Sequence, residues 1–399
     1  MDSLKHGRPA YWVVSGTELL RKGRGKRDRG WGPCGFAKQI DKVQRLTAPL
    51  ITRGMRSTAT DTLLAHADLL PTLLLIRKHC YRATLRMATL PISHPLATHM
   101  KAALRNRQCH KSPLHQLFNT YNIKSKNIET ITPVRYPPHW SPDIRIVSTD
   151  DQATAILMDV QAENENDVCI YSDGSGFEGK IGTAAVLRRK GERKKTLRFH
   201  LGSEKEHTVF KGEEVGMILA AELLQGEQRV RSVSLGIDNT AAIAAAKAHK
   251  SSPGHYLMDY FHHTLTEALR TIEADTITLR WTPGHVGIPG NEEADEEAKE
   301  AARGATSDPK LLPKALKSKG NPRILPTSKS AKKHTFNAKT KSLRRNIFQS
   351  SPRAQLAMKI DPFLPSSGFI KLIDGLPKRH AAILFQLRTG LLKTHLVWV

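Results

Sequence analysis

The sequence predicts an α/β domain built on a mixed sheet, and three observations carry that prediction. Between residues 168 and 203, the β-rich runs "VCIYSDG", "IGTAAVLRR" and "KTLRFHLG" are separated by the turn stretches "SGFEGK" and "KGERKK", the pattern of an antiparallel meander. After residue 209, strands and helices alternate, which implies crossover connections and parallel pairing for the later strands. The helices are striped: Leu257, Phe261, Leu265 and Ile272 fall on one face of "HYLMDYFHHTLTEALRTI".

Taken in chain order, residues 1–40 are Gly- and Arg-rich without a sustained period and read as a disordered basic tail, with "RKGRGKRDRG" as a flexible basic patch. Residues 41–108 have apolar positions at three- and four-residue spacing, interrupted by Pro71 and ended by Pro91, as expected for two or three helices. Residues 109–158 are rich in Pro, Lys and Asn and read as a linker. The α/β domain occupies 159–303. Within it "KGEEVGMILAAELL" is a helix, "VRSVSLGID" a buried strand, "NTAAIAAAKAH" a short helix opened by Asn239, and "TITLRW" a final strand. Asn291 is expected to cap a last helix running from 292 to 303. Residues 304–340 read as a second basic linker, and 341–399 as a helical tail.

A chain of 399 residues has room for two or three domains. Its net charge of +25 points to a polyanionic partner, and the distribution is sharper than the total. Residues 159–303 hold 18 Lys and Arg against 24 Asp and Glu, a net of −6, whereas the rest holds 44 against 13, a net of +31. The four cysteines, Cys34, Cys80, Cys109 and Cys169, form no CxxC pair, which argues against a disulfide framework and a local zinc site. The longest apolar run, "LLPTLLLI" at 69–76, is too short to cross a bilayer, and no signal-peptide core is present. A soluble, intracellular protein without a membrane partner is expected.

Four acidic residues fall where strands end or helices begin. Asp173 closes the first strand, Glu213 lies in the first turn of the following helix, Asp238 closes the fourth strand, and Asp295 opens the last helix. Each has an ordinary explanation, as an Asp-Gly turn, a cap, or a carboxylate near a helix dipole. As a set they differ. Carboxylates gathered at one sheet edge repel each other and shift each other's pKa, which a divalent cation relieves. Two such ions, Mg²⁺ or Mn²⁺, suit in-line displacement at a phosphodiester. His285, in a loop with Gly284, Gly287 and Gly290, can move a proton at such a site.

"YSDGSG", "TVFKGEEVGMILAAELL", "IDNTAAI" and "WTPGHVGIPGNEEADEEAK" together resemble the ribonuclease H type 1 domain, in the version found in non-LTR retrotransposon polyproteins. The resemblance covers about residues 168–303 and implies an RNase H-like fold, with a five-stranded mixed sheet of order 3-2-1-4-5 and flanking helices. It further implies metal-dependent endonucleolytic hydrolysis of the RNA strand of an RNA/DNA hybrid, leaving 5′-phosphate and 3′-hydroxyl ends. Carried over, the metal-binding tetrad is Asp173, Glu213, Asp238 and Asp295, the proton-moving residue is His285, and the cofactor is two Mg²⁺ ions, with Mn²⁺ as a substitute. Gly174, Ser175, Thr208 and Asn239 become nucleic-acid contacts, Thr208 on a DNA-strand phosphate.

Two features depart from that family. Gly212-Glu213-Glu214 stands where relatives usually read Ala-Glu-Leu, so register assigns the ligand to Glu213 with Glu214 as a fallback. The basic protrusion of the cellular enzymes is replaced by "AHKSSPG", which transfers the grip on the hybrid to the basic arms. "LTAPLITRGMRSTATDTLLAHADLLP", "YRATLRMATLPISHPL" and "LPKRHAAILFQLRTG" resemble the flanks of the same polyprotein. No YxDD motif occurs, so the chain is expected to be a fragment that keeps the nuclease without the polymerase palm, with a reverse transcriptase as a compatible partner. Two other readings stand beside the hybrid ribonuclease. One is a degenerate binding relic. The other is an integrase or resolvase relative, against which the acidic spacing and the "PGHVGIPGNEEAD" stretch argue.

Overall fold

Six strands form the central sheet: β1 (Ile144–Val147), β2 (Val168–Phe177), β3 (Lys180–Arg189), β4 (Lys195–Ser203), β5 (Val233–Ile237) and β6 (Ile277–Trp281), in the order β1-β6-β5-β2-β3-β4. This computed structural model describes residues 33–105, 113–133, 136–137, 140–248, 250–274 and 276–390. Residues 1–32 of the basic tail, Cys109 with its neighbours 106–112, His249, and the tail residues 391–399 lie outside the described residues.

The β2–β3–β4 meander is antiparallel, and β2, β5 and β6 pair in parallel, so β2 to β6 follow the order expected from the sequence. The sheet nevertheless has six strands and not five. β1 adds in parallel outside β6, with Ile144 opposite Ile277 and Val147 opposite Arg280. It comes from the stretch read as a linker. Its signal is only four residues long, and Ile144 and Ile146 owe their packing to a core that lies far along the chain.

Helix α1 (Gln152–Glu165) follows β1, capped by Asp151, which accepts from Thr154 N at 2.8 Å. Then come α2 (Val209–Gln225), α3 (Thr240–Lys247), α4 (His255–Leu269) and α5 (Pro289–Arg303). Alternation along β2 sorts them to two faces. Val168 and Ile170 enter the large core with α2 and α4, among them Val215, Ile218, Leu257, Phe261 and Leu265. Cys169 and Tyr171 point the other way, onto Val186, Ile288 and Ala294 beside α5, with Ile156 of α1 packed against them.

Two compact units emerge. One comprises Ala88–His94 and Lys124–His334 and contains the sheet. It extends past the expected end of the α/β domain, because Leu312, Leu316 and Leu325 are buried in the large core. The other comprises, among the described residues, 33–87, 95–105, 113–123 and 335–390. Its helices include Pro33–Thr52, Thr60–His66, Ala354–Ile360, Gly368–Ile373 and Lys378–Arg388. The first starts at Pro33, inside the stretch read as a disordered tail, and another, Pro113–Thr120, lies inside the stretch read as a linker. Ala48, Leu63, Phe369 and Phe385 form the core of this unit, and the Tyr81 and Phe336 rings stack 3.8 Å apart. No helix among the described residues is long and apolar enough to cross a membrane.

Candidate active site

Asp173 and Gly174 are consecutive on β2 and therefore face opposite sides of the sheet. Gly174 faces α2. A Cβ there would run into the backbone of Gly212 and Glu213, so only glycine lets the helix approach this closely. That approach brings the Glu213 carboxylate to the place where the parallel pairing of β2 and β5 stops at Ser172 and Ile237. Asp238 stands just after β5, and Asp173 lies inside β2, which does not close there as expected but runs on to Phe177 against β3. Oxygen atoms of Asp173, Glu213 and Asp238 all lie within 4.8 Å of one another.

Glu214, the next residue on α2, points elsewhere. Its carboxylate lies against Gly254 at the start of α4, where a Cβ would collide with it, and it bears electrostatically on Lys211 and Tyr256. Successive helical residues are rotated by about 100°, so two adjacent glutamates cannot share one site. Register and geometry agree on Glu213 as the member of the cluster.

The cluster is strained electrostatically. Burial and the charges of Asp238 and Asp295 push the Asp173 carboxyl up to about 7. Burial, then Asp173 and Asp238, hold Glu213 well above the usual carboxylate range, opposed by a hydrogen bond from Asn239. Asp238 is raised by burial and by Asp295, with His285 acting in the other direction. Glu213 Oε2 is buried and has no hydrogen-bond partner. A buried oxygen without a donor among mutually repelling carboxylates is the environment that a divalent cation relieves, and these residues can hold one.

Asp295 stands beside this triad on α5. Lys299, one turn further on, donates to Asp295 Oδ2 at 2.6 Å, and His285 Nδ1 lies 3.9 Å from the same oxygen. The sequence reading missed Lys299, although its i, i+4 spacing from Asp295 was a visible signal. His285 has a positive φ of 58°, and its side chain is 81% exposed. Gly284 brings the loop against Asp238, a Cβ there standing 3.2 Å from Asp238 Oδ2, while Trp281 Nε1 donates to the Asp238 carbonyl at 3.0 Å.

Asn291 does not cap α5, which starts two residues earlier at Pro289 with Ile288 at the cap position. Proline at the first helical position needs no N–H partner, and Glu292 Oε1 accepts from Gly287 N at 2.9 Å. Asn291 is instead buried, with its Oδ1 unpartnered. Of the other predicted contacts, Asn239 caps α3 by accepting from Ala241 N and Ala242 N, and Thr208 caps α2 by accepting from Lys211 N. Ser175 is half-buried on β2, opposite Gly182 of β3.

The family model for RNase H matches residues 165–303, the span from the end of α1 to the end of α5. Residues 165–303 are an RNase H domain. Among solved structures, the chain is similar to LC11-RNase H1 in complex with an RNA/DNA hybrid, at 18% identity and a TM-score of 0.28 over 34% of this chain and 96% of that one. No curated protein matches the chain. The RNase H domain thus contains the whole carboxylate cluster, while β1, most of α1 and the segment after α5 are additions to it.

Proposed function

We propose that the RNase H domain hydrolyses the RNA strand of RNA/DNA hybrids endonucleolytically, leaving 5′-phosphate and 3′-hydroxyl ends. The observation that carries this reading is the convergence of Asp173, Glu213 and Asp238 oxygens within 4.8 Å, with Glu213 Oε2 buried and unpartnered. With Asp295 these carboxylates would hold two Mg²⁺ ions, or Mn²⁺, which supply positive charge to the phosphodiester and lower the pKa of a water. Asp173 and Glu213 enter from opposite layers and are fixed by a strand and a helix, so their spacing is preorganised.

His285 moves the proton. Its imidazole is exposed on a loop anchored near Asp238 and lies 3.9 Å from Asp295, so it can deliver a proton to the leaving 3′-oxygen. Gly174, Ser175 and Asn239 border the cluster and suit contacts to the 2′-hydroxyls that distinguish RNA, and Thr208 suits a phosphate of the DNA strand. The resemblance of the flanks to non-LTR retrotransposon polyproteins supports a retroelement setting, with a reverse transcriptase as partner. Such a hybrid substrate would be met inside the cell.

The test is cleavage of a labelled RNA/DNA hybrid, with duplex RNA and duplex DNA as controls, in Mg²⁺, Mn²⁺ or EDTA. Metal-dependent cutting confined to the RNA strand of the hybrid is expected. Hybrid binding without cutting under every metal condition would instead support the relic reading.

A further inference from the structure

Between Pro309 and His334 the chain carries eight Lys and Arg and no Asp or Glu. This segment is nevertheless folded onto the RNase H domain. Leu312, Leu316 and Leu325 are buried in the core shared with α2 and α4. Lys317–Ser318 and Asn321–Pro322 pair as a short antiparallel hairpin, and its turn residues Lys319 and Gly320 both have positive φ, as a tight two-residue hairpin turn requires.

The ribbon has a defined course. Near the end of α2, Lys314 and Lys317 face Glu222, and Lys314 Nζ lies 3.9 Å from Glu267 of α4. Further on, Ser328 N donates to Glu206 O at 2.7 Å, and the buried Lys211 donates to the Pro326 carbonyl. The ribbon therefore runs along α2 from its last turns back to its N-terminal half, which also presents Glu213. Nine helical residues from Glu222 to Glu213 span about 14 Å at a rise of ~1.5 Å each. It ends on a cavity of about 510 Å³ lined by Thr208, Lys211, Ser328, Ser330 and His334.

Its charges are only partly answered by the domain. Glu206, Glu222 and Glu267 face Lys332, Lys317 and Lys314. Lys310, Lys319, Arg323 and Lys333 are exposed and form no ion pair among the described residues. An array of like charges held rigid by buried leucines costs self-repulsion, and a polyanion of regular spacing relieves it. A nucleic-acid duplex carries one negative charge per ~1.7 Å of axis, roughly eight over the length of α2 that the ribbon follows.

We propose that residues 309–334 form a clamp for the phosphate backbone of a nucleic-acid duplex, extending the grip of the active site along α2. The inference rests on the reading of the domain as a hybrid ribonuclease for the identity of the duplex, but its test needs no catalysis. Binding of a labelled RNA/DNA hybrid by the full chain carrying Asp173→Asn is measured in EDTA over a series of salt concentrations. Lys310→Gln, Lys319→Gln and Arg323→Gln are combined, and compared with Lys190→Gln, Arg193→Gln and Lys194→Gln combined in the turn after β3. The ribbon triple is expected to weaken binding roughly tenfold and to lower the salt slope by about 2 to 3, with the control triple within about twofold of the parent.

Thermal melting checks that both triples remain folded, and Lys333→Gln, which lies outside the hairpin, provides a second variant if the first does not. Unchanged affinity and slope in the ribbon variants, or an equal loss in the control, overturns the proposal. So does loss of binding to phosphatidylserine vesicles with hybrid binding intact, which would make the ribbon a membrane contact. Failure of the ribonuclease reading would show differently, as wild-type protein that never cuts the hybrid in Mg²⁺ yet keeps this binding difference.

Discussion

Asp159 on α1 and Arg280 on β6, 121 residues apart in the chain, meet as a buried ion pair with both side chains only 4% exposed. Arg280 also donates to Ser234 Oγ at 2.7 Å and lies 5.0 Å above the Tyr171 ring, while Tyr171 Oη donates to Asp159 at 3.1 Å. Burial pulls the Arg280 guanidinium down to about 10. Asp159→Ala would strand that guanidinium in the interior at a cost of roughly 3–5 kcal/mol. The expected readout is a large fall in melting temperature followed by circular dichroism. A fragment of residues 160–305 lacks Asp159 and β1, and is expected to melt far below a fragment of residues 124–334.

Glu213 and Glu214 are expected to separate cleanly. Glu213→Gln removes an oxygen from the carboxylate cluster and should abolish metal-dependent cutting, with rates down at least ~10²-fold, comparable to the loss of other preorganised electrostatic groups. Glu214→Gln changes the side facing Gly254 and Lys211, so it should alter melting temperature and leave the rate within about tenfold. Single-turnover cleavage rates at saturating enzyme decide between them. Equal losses in the two variants would overturn the division of roles.

Stability without metal should fall as pH rises. Below about pH 3.8 the Asp173 carboxyl is protonated in the folded and unfolded chain alike, whereas between there and about 7 the unfolded chain releases a proton that the fold retains. The raised carboxyls of Glu213 and Asp238 add in the same direction. In EDTA, Asp173→Asn is expected to match wild type near pH 4 and to melt above it at pH 8. Saturating Mg²⁺ should reverse the order by stabilising wild type on the order of 2.7 kcal/mol at a hundredfold excess over Kd, with little effect on the variant.

His285→Ala should slow cleavage roughly 10²-fold or more and flatten the pH dependence of the rate, because the proton carrier is gone. Its side chain is exposed, so melting temperature should not move. Full activity in this variant would remove His285 from the mechanism.

Gly174→Ala offers a packing test of the same site. The added methyl would meet the Gly212 and Glu213 backbone, so strand and helix must separate. A loss of about 1–3 kcal/mol in stability is expected from overpacking. Cleavage should fall further than stability, since Glu213 is carried away from Asp173.

Much of this site was legible in the sequence. Asp173, Glu213, Asp238 and Asp295 announce themselves as carboxylates near expected strand and helix boundaries, although β2 continues past Asp173 to Phe177 and the first turns of α2 and α5 end before Glu213 and Asp295. The period-two and period-3.6 patterns between 168 and 303 define the elements that carry them. Those signals are local, because alternation and capping depend on near neighbours in the chain. Asn239 as the cap of α3 was readable for the same reason.

The tertiary structure decided the rest. β1 is a strand only because β6 offers it an edge, α1 joins the domain through Asp159 and Arg280, and the basic segment after α5 is held by three leucines that pack into a core built by much earlier residues of α2 and α4. Which of Glu213 and Glu214 faces Asp173 follows from the close approach of α2 over Gly174. A linear pattern records which residues are apolar or charged; it does not record which distant surface will bury them. Burial is what turned a four-residue alternation into a sixth strand, a compositional linker into a folded ribbon, and scattered carboxylates into one strained cluster.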